Sequence, residues 1–271
     1  MRIQPDVNWI PATSLVSMGV LAMGCGPRER PVATPVGVDE GHINEGSEGD
    51  DPGFAAIERA PAVASSDTPG RVLLTEAIRQ LRAMKTSRYR HKSRIDEATG
   101  KFEYDCSGFV AYALARALPD ALSPVPIGLK GRPRAEDFAT YFSALTEADA
   151  WLRIPRATDL QPGDVIAWLR PAGVSTTNTG HIVIVYDVKG SLPATGPVAA
   201  IGGAREILLR VVDSTESPHA DDVRGPDTAT GLGTGTLGLV VDASDAPLGY
   251  RWKGGESVKA FATLIAIARP K

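Results

Sequence analysis

The sequence predicts an α+β fold in which helices near the start of a folded region pack on an antiparallel sheet built from the residues that follow. Three observations carry the prediction. Apolar residues recur at helical spacing from Val72 to Met84 and again after Cys106. Short runs dense in β-branched residues replace that period from Val165 onward. Between the two regimes stands a turn signal, Leu160-Gln161-Pro162-Gly163-Asp164. Helices first and strands afterwards are the pattern of an α+β layer fold rather than of alternating βαβ units.

The first helix presents Val72, Leu73, Leu74, Ala77, Ile78, Leu81 and Met84 on one face. The second begins at Cys106, buries Phe109, Val110, Ala113, Leu114, Ala117 and Leu118, and is stopped by Pro119. A third is predicted over 134–145, after a loop spanning 124–133. Val165 to Leu169 reads as a buried strand, and His181 to Val188 and Glu206 to Asp213 as two more. Further strands fall near 236–241 and 261–268, with 242–255 as a long hairpin connection between them. Gly231-Leu232-Gly233-Thr234-Gly235 precedes a strand rather than a helix, so it reads as a loop and not as a phosphate cradle. Trp168 is assigned to the core and Trp252 to loop packing.

At 271 residues the chain holds one domain of about 200 residues plus additional segments. The formal charge of -3 argues against a nucleic-acid partner, and the basic stretch Arg88-Tyr89-Arg90-His91-Lys92 reads as a solvated surface. Residues 15–24 form an apolar stretch too short to span a bilayer but suited to an export signal. Leu21-Ala22-Met23-Gly24-Cys25 resembles a bacterial lipobox, which implies cleavage before Cys25 and lipidation of that residue. A plain cleaved signal or an apolar N-terminal helix is the alternative. From Gly26 to about Gly70 the chain turns to Pro, Gly, Ser, Asp and Glu, a composition that cannot bury a core and reads as a flexible tether. The expected organisation is therefore a signal peptide at 1–25, a disordered linker at 26–70 and a folded domain at 71–271.

Chemistry concentrates at Tyr104-Asp105-Cys106-Ser107-Gly108-Phe109-Val110. Asp105 suits an N-cap, and the partial positive charge of a helix start favours a thiolate at Cys106. If the strands at 181–188 and 206–213 pair as an antiparallel hairpin, His181 comes near Asp213. Cys106, His181 and Asp213 then supply a nucleophile, a base and a group that fixes the base's tautomer. His219 and Asp221 add possible metal ligands beside His181 and Asp213, but without a compact helical spacing, so no metal and no cofactor is expected. His219 is read instead as a pocket or substrate-contacting residue.

Three motifs in order, Tyr-Asp-Cys-Ser-Gly-Phe-Val at 104–110, Leu-Gln-Pro-Gly-Asp-Val-Ile at 160–166 and Gly-His-Ile-Val-Ile-Val at 180–185, resemble those of the NlpC-type cysteine peptidases. The resemblance covers about residues 71–215. It implies a papain-like core, with Cys106 as nucleophile, His181 as general base and Asp213 as the orienting group. It implies that Tyr89 stands for a family tyrosine near the reacting carbonyl, and with Tyr104, Ser107 and His219 it completes the expected substrate-binding set. Two positions depart from the family pattern. Residues 92–100 replace its Gly-rich segment, and Val183 replaces its small residue after the histidine.

The expected activity is hydrolysis of an amide bond in bacterial cell-wall stem peptide by an exported, membrane-anchored enzyme. Gly26 after Cys25 resembles the signal for the outer membrane, which places the domain in the periplasm. An amidase or acyltransferase acting on another secreted substrate, or a non-catalytic peptide-binding lipoprotein, are the competing expectations.

Overall fold

The computed structural model describes residues 68–128, 131–224 and 230–271. The expectations for the signal peptide, for Cys25 and for nearly all of the linker lie outside the described residues. Helix α1 (Pro69–Ala83) starts two residues before the expected boundary. Proline at its first turn gives up an N–H that would have no partner there in any case. Three short strands follow, β1 (Thr86–Arg88), β2 (Arg94–Asp96) and β3 (Lys101–Glu103). They form a small sheet in the order β1-β3-β2, with β1 and β3 parallel. Helix α2 (Cys106–Ala117) comes next, then the single turn α3 (Pro119–Leu122) and helix α4 (Ala135–Ser143). No helix among the described residues is long and apolar enough to cross a membrane.

The rest of the chain is mostly sheet. It comprises β4 (Trp151–Arg153), β5 (Val165–Leu169), β6 (Gly180–Pro193), a short helix α5 (Gly196–Ala200), β7 (Arg205–Thr215), β8 (Gly231–Val241), β9 (Pro247–Arg251), β10 (Phe261–Ala262) and β11 (Ile265–Pro270). All but α5 join one antiparallel sheet ordered β10-β9-β8-β7-β6-β5-β11-β4. The α+β class is therefore as expected. The stretch 231–235 is the first half of β8 rather than a loop, and 242–255 is interrupted by β9.

Side chains alternate across the sheet as strand geometry requires. Ala167, Ile182, Ile184 and Val212 face α1, α2 and α4, where Leu73, Phe109, Phe138 and Phe142 fill the layer between. Ile166, Trp168, Val183, Val185, Val211, Leu237 and Tyr250 form a second core on the opposite face. That second face closes on itself. Strands β5 and β9 are four steps apart in the sheet, about 19 Å if it were flat, yet the Trp168 and Tyr250 rings lie 4.9 Å apart. Twist and curl have drawn the sheet into a half-barrel around this core.

Candidate active site

Cys106 is the first residue of α2, and the local sequence places it there. Asp105 is extended (φ -84, ψ 179) and its side chain accepts the Gly108 N–H at 2.7 Å, which caps the helix. Gly108 must be small, because a Cβ there would meet Ser93 Oγ at 2.9 Å and Asp105 Oδ1 at 3.1 Å. The segment before the cysteine is tied to β7 by Ser214, whose hydroxyl donates to the Tyr104 carbonyl at 2.6 Å. Helix α2 packs on β6 and β7.

His181 opens β6 opposite Trp168 of β5. Gly180 makes that entry possible, since a Cβ at its position would fall 1.8 Å from the Trp168 carbonyl oxygen. The imidazole sits between two indoles, with centroids 5.2 Å from Trp168 and 5.0 Å from Trp252. Asp213 stands near the end of β7. The last β6–β7 pair in register is Ile184 with Val212, so His181 and Asp213 approach diagonally from strands that have just parted. Their side chains meet at 2.6 Å, His181 Nε2 to Asp213 Oδ2.

Asp213 is fully buried but not isolated. His219 Nε2 reaches the same Oδ2 at 3.0 Å, and Arg224 pairs with Oδ1 while donating to the Asp213 carbonyl at 2.7 Å. Burial alone would raise the carboxyl, but Arg224, His219 and the two imidazole hydrogen bonds outweigh it and hold Asp213 well below the usual carboxylate range. Burial is also the main influence on His181. It lowers the imidazole below its usual value although the Asp213 bond opposes the change. His181 is thus neutral at pH 7, and an ionised Asp213 takes the hydrogen on Nε2, so Nδ1 keeps its lone pair.

Cys106 is 4% exposed. Burial, and then the neighbouring Asp105 carboxylate, push its thiol up, against the backbone N–H groups of Ile182 and Ser107 that face the sulfur. The helix start therefore does not hold a thiolate as the sequence predicts, because desolvation and an adjacent negative charge exceed the effect of the helix end. Among the described residues the sulfur makes no hydrogen bond with the His181 ring, and its neighbour on β6 is the Ile182 N–H.

Two cavities flank the pair. The larger, about 690 Å³, is lined by Cys106, Ser107, His91, Lys92, Arg132 and Arg134 among others. The smaller, about 250 Å³, is walled by His181, Trp168, Tyr250 and Trp252, with Arg170 and Glu216 at its edge. Tyr89, Asn178 and Gly180 line both, so the two form one cleft with the cysteine on one side and the histidine on the other. Arg132 reaches across the larger cavity to Asp105, to Ser107 Oγ at 2.8 Å and to the His91 carbonyl at 2.9 Å.

The predicted binding residues divide. Tyr89 lies where the cavities join, and Ser107 lines the larger one. Tyr104 does not reach the cleft. It is fully buried and its hydroxyl donates to Gln80 Oε1 at 2.8 Å, because its neighbours Phe102 and Phe109 draw the ring into the core. His219 is likewise no surface contact, for its side chain is wholly buried between Asp213 and Trp252. Trp252 is the residue the sequence reading undervalued. It packs against both imidazoles and lines the cleft.

His181, Asp213 and His219 bring three ligand-type atoms within 4.8 Å of one another. Both imidazole Nε2 atoms, however, converge on a single carboxylate oxygen, and the Arg224 guanidinium occupies the other. An added cation would stand beside a buried cation, so the donor set suits a hydrogen-bonded cluster better than a metal. Asp221 is not in the group, being exposed and paired with Lys189. Comparisons with protein-family models, with curated proteins and with solved structures find no match to this chain.

Proposed function

We propose that this protein is a thiol hydrolase that cleaves an amide bond in bacterial cell-wall peptide, with a papain-like core of the NlpC type. The observation that carries the reading is the shared cleft. Cys106 at the start of α2 and His181 at the start of β6 open onto it from opposite sides, and Asp213 fixes the imidazole with Nδ1 available. A helix bearing the cysteine against an antiparallel strand bearing the histidine supports the fold assignment, together with the three ordered motifs.

The groups start neutral, so the cysteine is activated in the act of attack. Cys106 Sγ forms a bond to the carbonyl carbon while its proton passes to His181 Nδ1. Backbone N–H groups beside the sulfur, those of Ser107 and Ile182, are placed to stabilise negative charge that develops there. His181 returns the proton to the leaving amine as the C–N bond breaks, and a thioester remains. Water then attacks the thioester, gives a proton to His181, and the thiol is restored as that proton returns to sulfur.

The cleft also constrains the substrate. His181 protonates the leaving amine, so the aromatic cavity receives the leaving part and the cavity beside Cys106 receives the acyl part. Lys92, Arg132 and Arg134 outweigh Asp105 and Glu136, which pairs with Arg134 at 3.0 Å, and leave the acyl side cationic, which favours an acidic peptide. Domain export and lipid anchoring at Cys25, facing the periplasm from the outer membrane, belong to the same proposal, and membrane fractionation tests them.

The direct test is mass spectrometry of peptidoglycan fragments incubated with the protein and with Cys106→Ala. New amine-ended fragments made only by the unaltered protein support the hydrolase and identify the bond. Matching profiles would remove cell-wall cleavage. A non-catalytic peptide-binding role draws on one observation, the burial of a thiol pushed above its usual range. Alkylation by iodoacetamide near neutral pH separates the two, since a hydrolytic Cys106 needs His181 to take its proton and His181→Ala would then slow the reaction.

A further inference from the structure

The glycines of 231–235 recur every second residue on one face of β8, and their spacing has a use. A Cβ at Gly233 would lie 2.5 Å from Arg224 Cγ and Nε, and one at Gly235 would lie 2.6 Å from His219 Cβ and 2.8 Å from Asp222 Oδ2. The missing side chains leave a slot, and residues 219–224 fill it.

Those residues close a ring of buried charge. Arg224 Nη1 meets Asp222 Oδ2 at 2.6 Å, the His219 N–H donates to the same oxygen at 2.7 Å, and Arg224 and His219 both end on Asp213. Arg224 Nε also donates to the Gly231 carbonyl at 2.8 Å, which fixes the guanidinium on the strand. The Arg224 and Asp222 side chains are 2% and 5% exposed and that of His219 is 0%. His219 Nδ1 faces the Trp252 carbonyl at 2.8 Å while Nε2 faces Asp213. Each ring nitrogen faces an oxygen, and the ionised Asp213 can only accept, so Nε2 donates to it.

We propose that His219 and Arg224 are positioning residues, seated in the glycine slot of β8, that hold Asp213 as a fixed ionised acceptor and thereby set the His181 tautomer. Neither touches the cleft beside Cys106, and both act through Asp213. The proposal rests on the reading of Cys106 and His181 as the reacting pair, yet its first readout does not need a substrate.

The experiment uses the full chain and its His219→Gln, Arg224→Lys and Gly233→Ala variants. Imidazole ¹⁵N NMR reports the tautomers, circular dichroism reports folding, and iodoacetamide reports Cys106 reactivity. In the unaltered protein near pH 7.5, His181 should carry hydrogen on Nε2 only. In variants that remain folded, the His181 signals should shift to mixed tautomers, and alkylation should slow by about tenfold, part of what a positioned base contributes. Where Arg224→Lys does not fold, Gly233→Ala displaces Arg224 without removing its charge and should give the same mixed tautomers. Two results would overturn the proposal. One is hydrogen on Nδ1 rather than Nε2 of His181 in the unaltered protein. The other is folded variants whose His181 tautomer and Cys106 reactivity are unchanged. Failure to cleave any substrate with the tautomers as expected would count against the hydrolase reading and leave this positioning role supported.

Discussion

His181 Nε2 lies 2.6 Å from Asp213 Oδ2, and that bond determines which nitrogen of the ring faces the cleft. An ionised carboxylate can only accept, so the hydrogen sits on Nε2 and Nδ1 is left as a base. The residues are not opposite one another in the sheet. They meet because β6 and β7 part after the Ile184–Val212 pair, and the diagonal gap is the right size for an imidazole and a carboxylate.

Asp213→Asn tests the bond directly. The amide presents an NH₂ to the ring, which favours the tautomer with hydrogen on Nδ1 and removes the base. Turnover should fall by about 10³- to 10⁴-fold with little change in KM, as expected when an aspartate that fixes a catalytic tautomer is replaced. The same change leaves the buried Arg224 without its counter-charge at Asp213, and urea unfolding should show a loss of about 3–5 kcal/mol. Undiminished turnover would mean that Asp213 does not govern the ring.

The fold should be most stable between about pH 6.5 and 9, for reasons that can be assigned to residues. His181 is lowered from an ordinary value of 6.5, so the unfolded chain takes up a proton there first, and stability is lost as pH falls from that value toward the folded one. Asp213, held far below 3.8, adds a second loss at still lower pH. Cys106 is raised from an ordinary 9.0, so the unfolded chain releases its proton first and stability declines again above that point. Chemical denaturation across pH checks all three. Cys106→Ala should flatten the slope between about pH 9 and 10, before the buried tyrosines raised above 10.0 contribute, and an unchanged slope there would contradict the burial of the thiol.

Much of this site was legible before the structure. Asp105 as a cap, the helix from Cys106 and the approach of His181 to Asp213 each follow from local patterns or from a simple hairpin. The small β1-β3-β2 sheet was not, since strands of three residues carry too few positions to show a period. Arg224 left no signal, because its role comes from a loop that folds back on β8 and not from its neighbours in sequence. The glycines of 231–235 misled, as they resemble a turn. Their alternation marks instead a strand whose one face has no side chains, and the reason lies in the residues packed there. Trp252 was assigned to loop packing because only the curl of the sheet brings β9 beside β5.

Gly180→Ala should disturb the site although glycine itself takes part in no chemistry. The new Cβ would lie 1.8 Å from the Trp168 carbonyl oxygen, backbone that cannot swing aside. The end of the β5–β6 pairing must open and carry His181 away from Asp213. A loss of more than about 3 kcal/mol is expected, with the Trp168 fluorescence environment altered. A stability loss below about 1 kcal/mol would show that the strand end adapts.

Asp105 has two roles that a single substitution separates. Its side chain caps α2 through the Gly108 N–H, and its charge helps keep the Cys106 thiol protonated. Asparagine caps a helix about as well as aspartate does, so Asp105→Asn should preserve the fold. It removes the negative charge beside the sulfur and frees the Arg132 cation that had been paired with it. Both changes act in the same direction and lower the thiol. A shift of one pKa unit corresponds to tenfold more thiolate at a given pH, so alkylation near pH 8 should accelerate by about tenfold. Arg132→Ala should do the opposite, because it leaves the Asp105 charge uncompensated and raises the thiol further. If both variants react at the rate of the unaltered protein, desolvation alone sets the state of Cys106. In that case substrate binding, by closing the cleft, has to supply the activation.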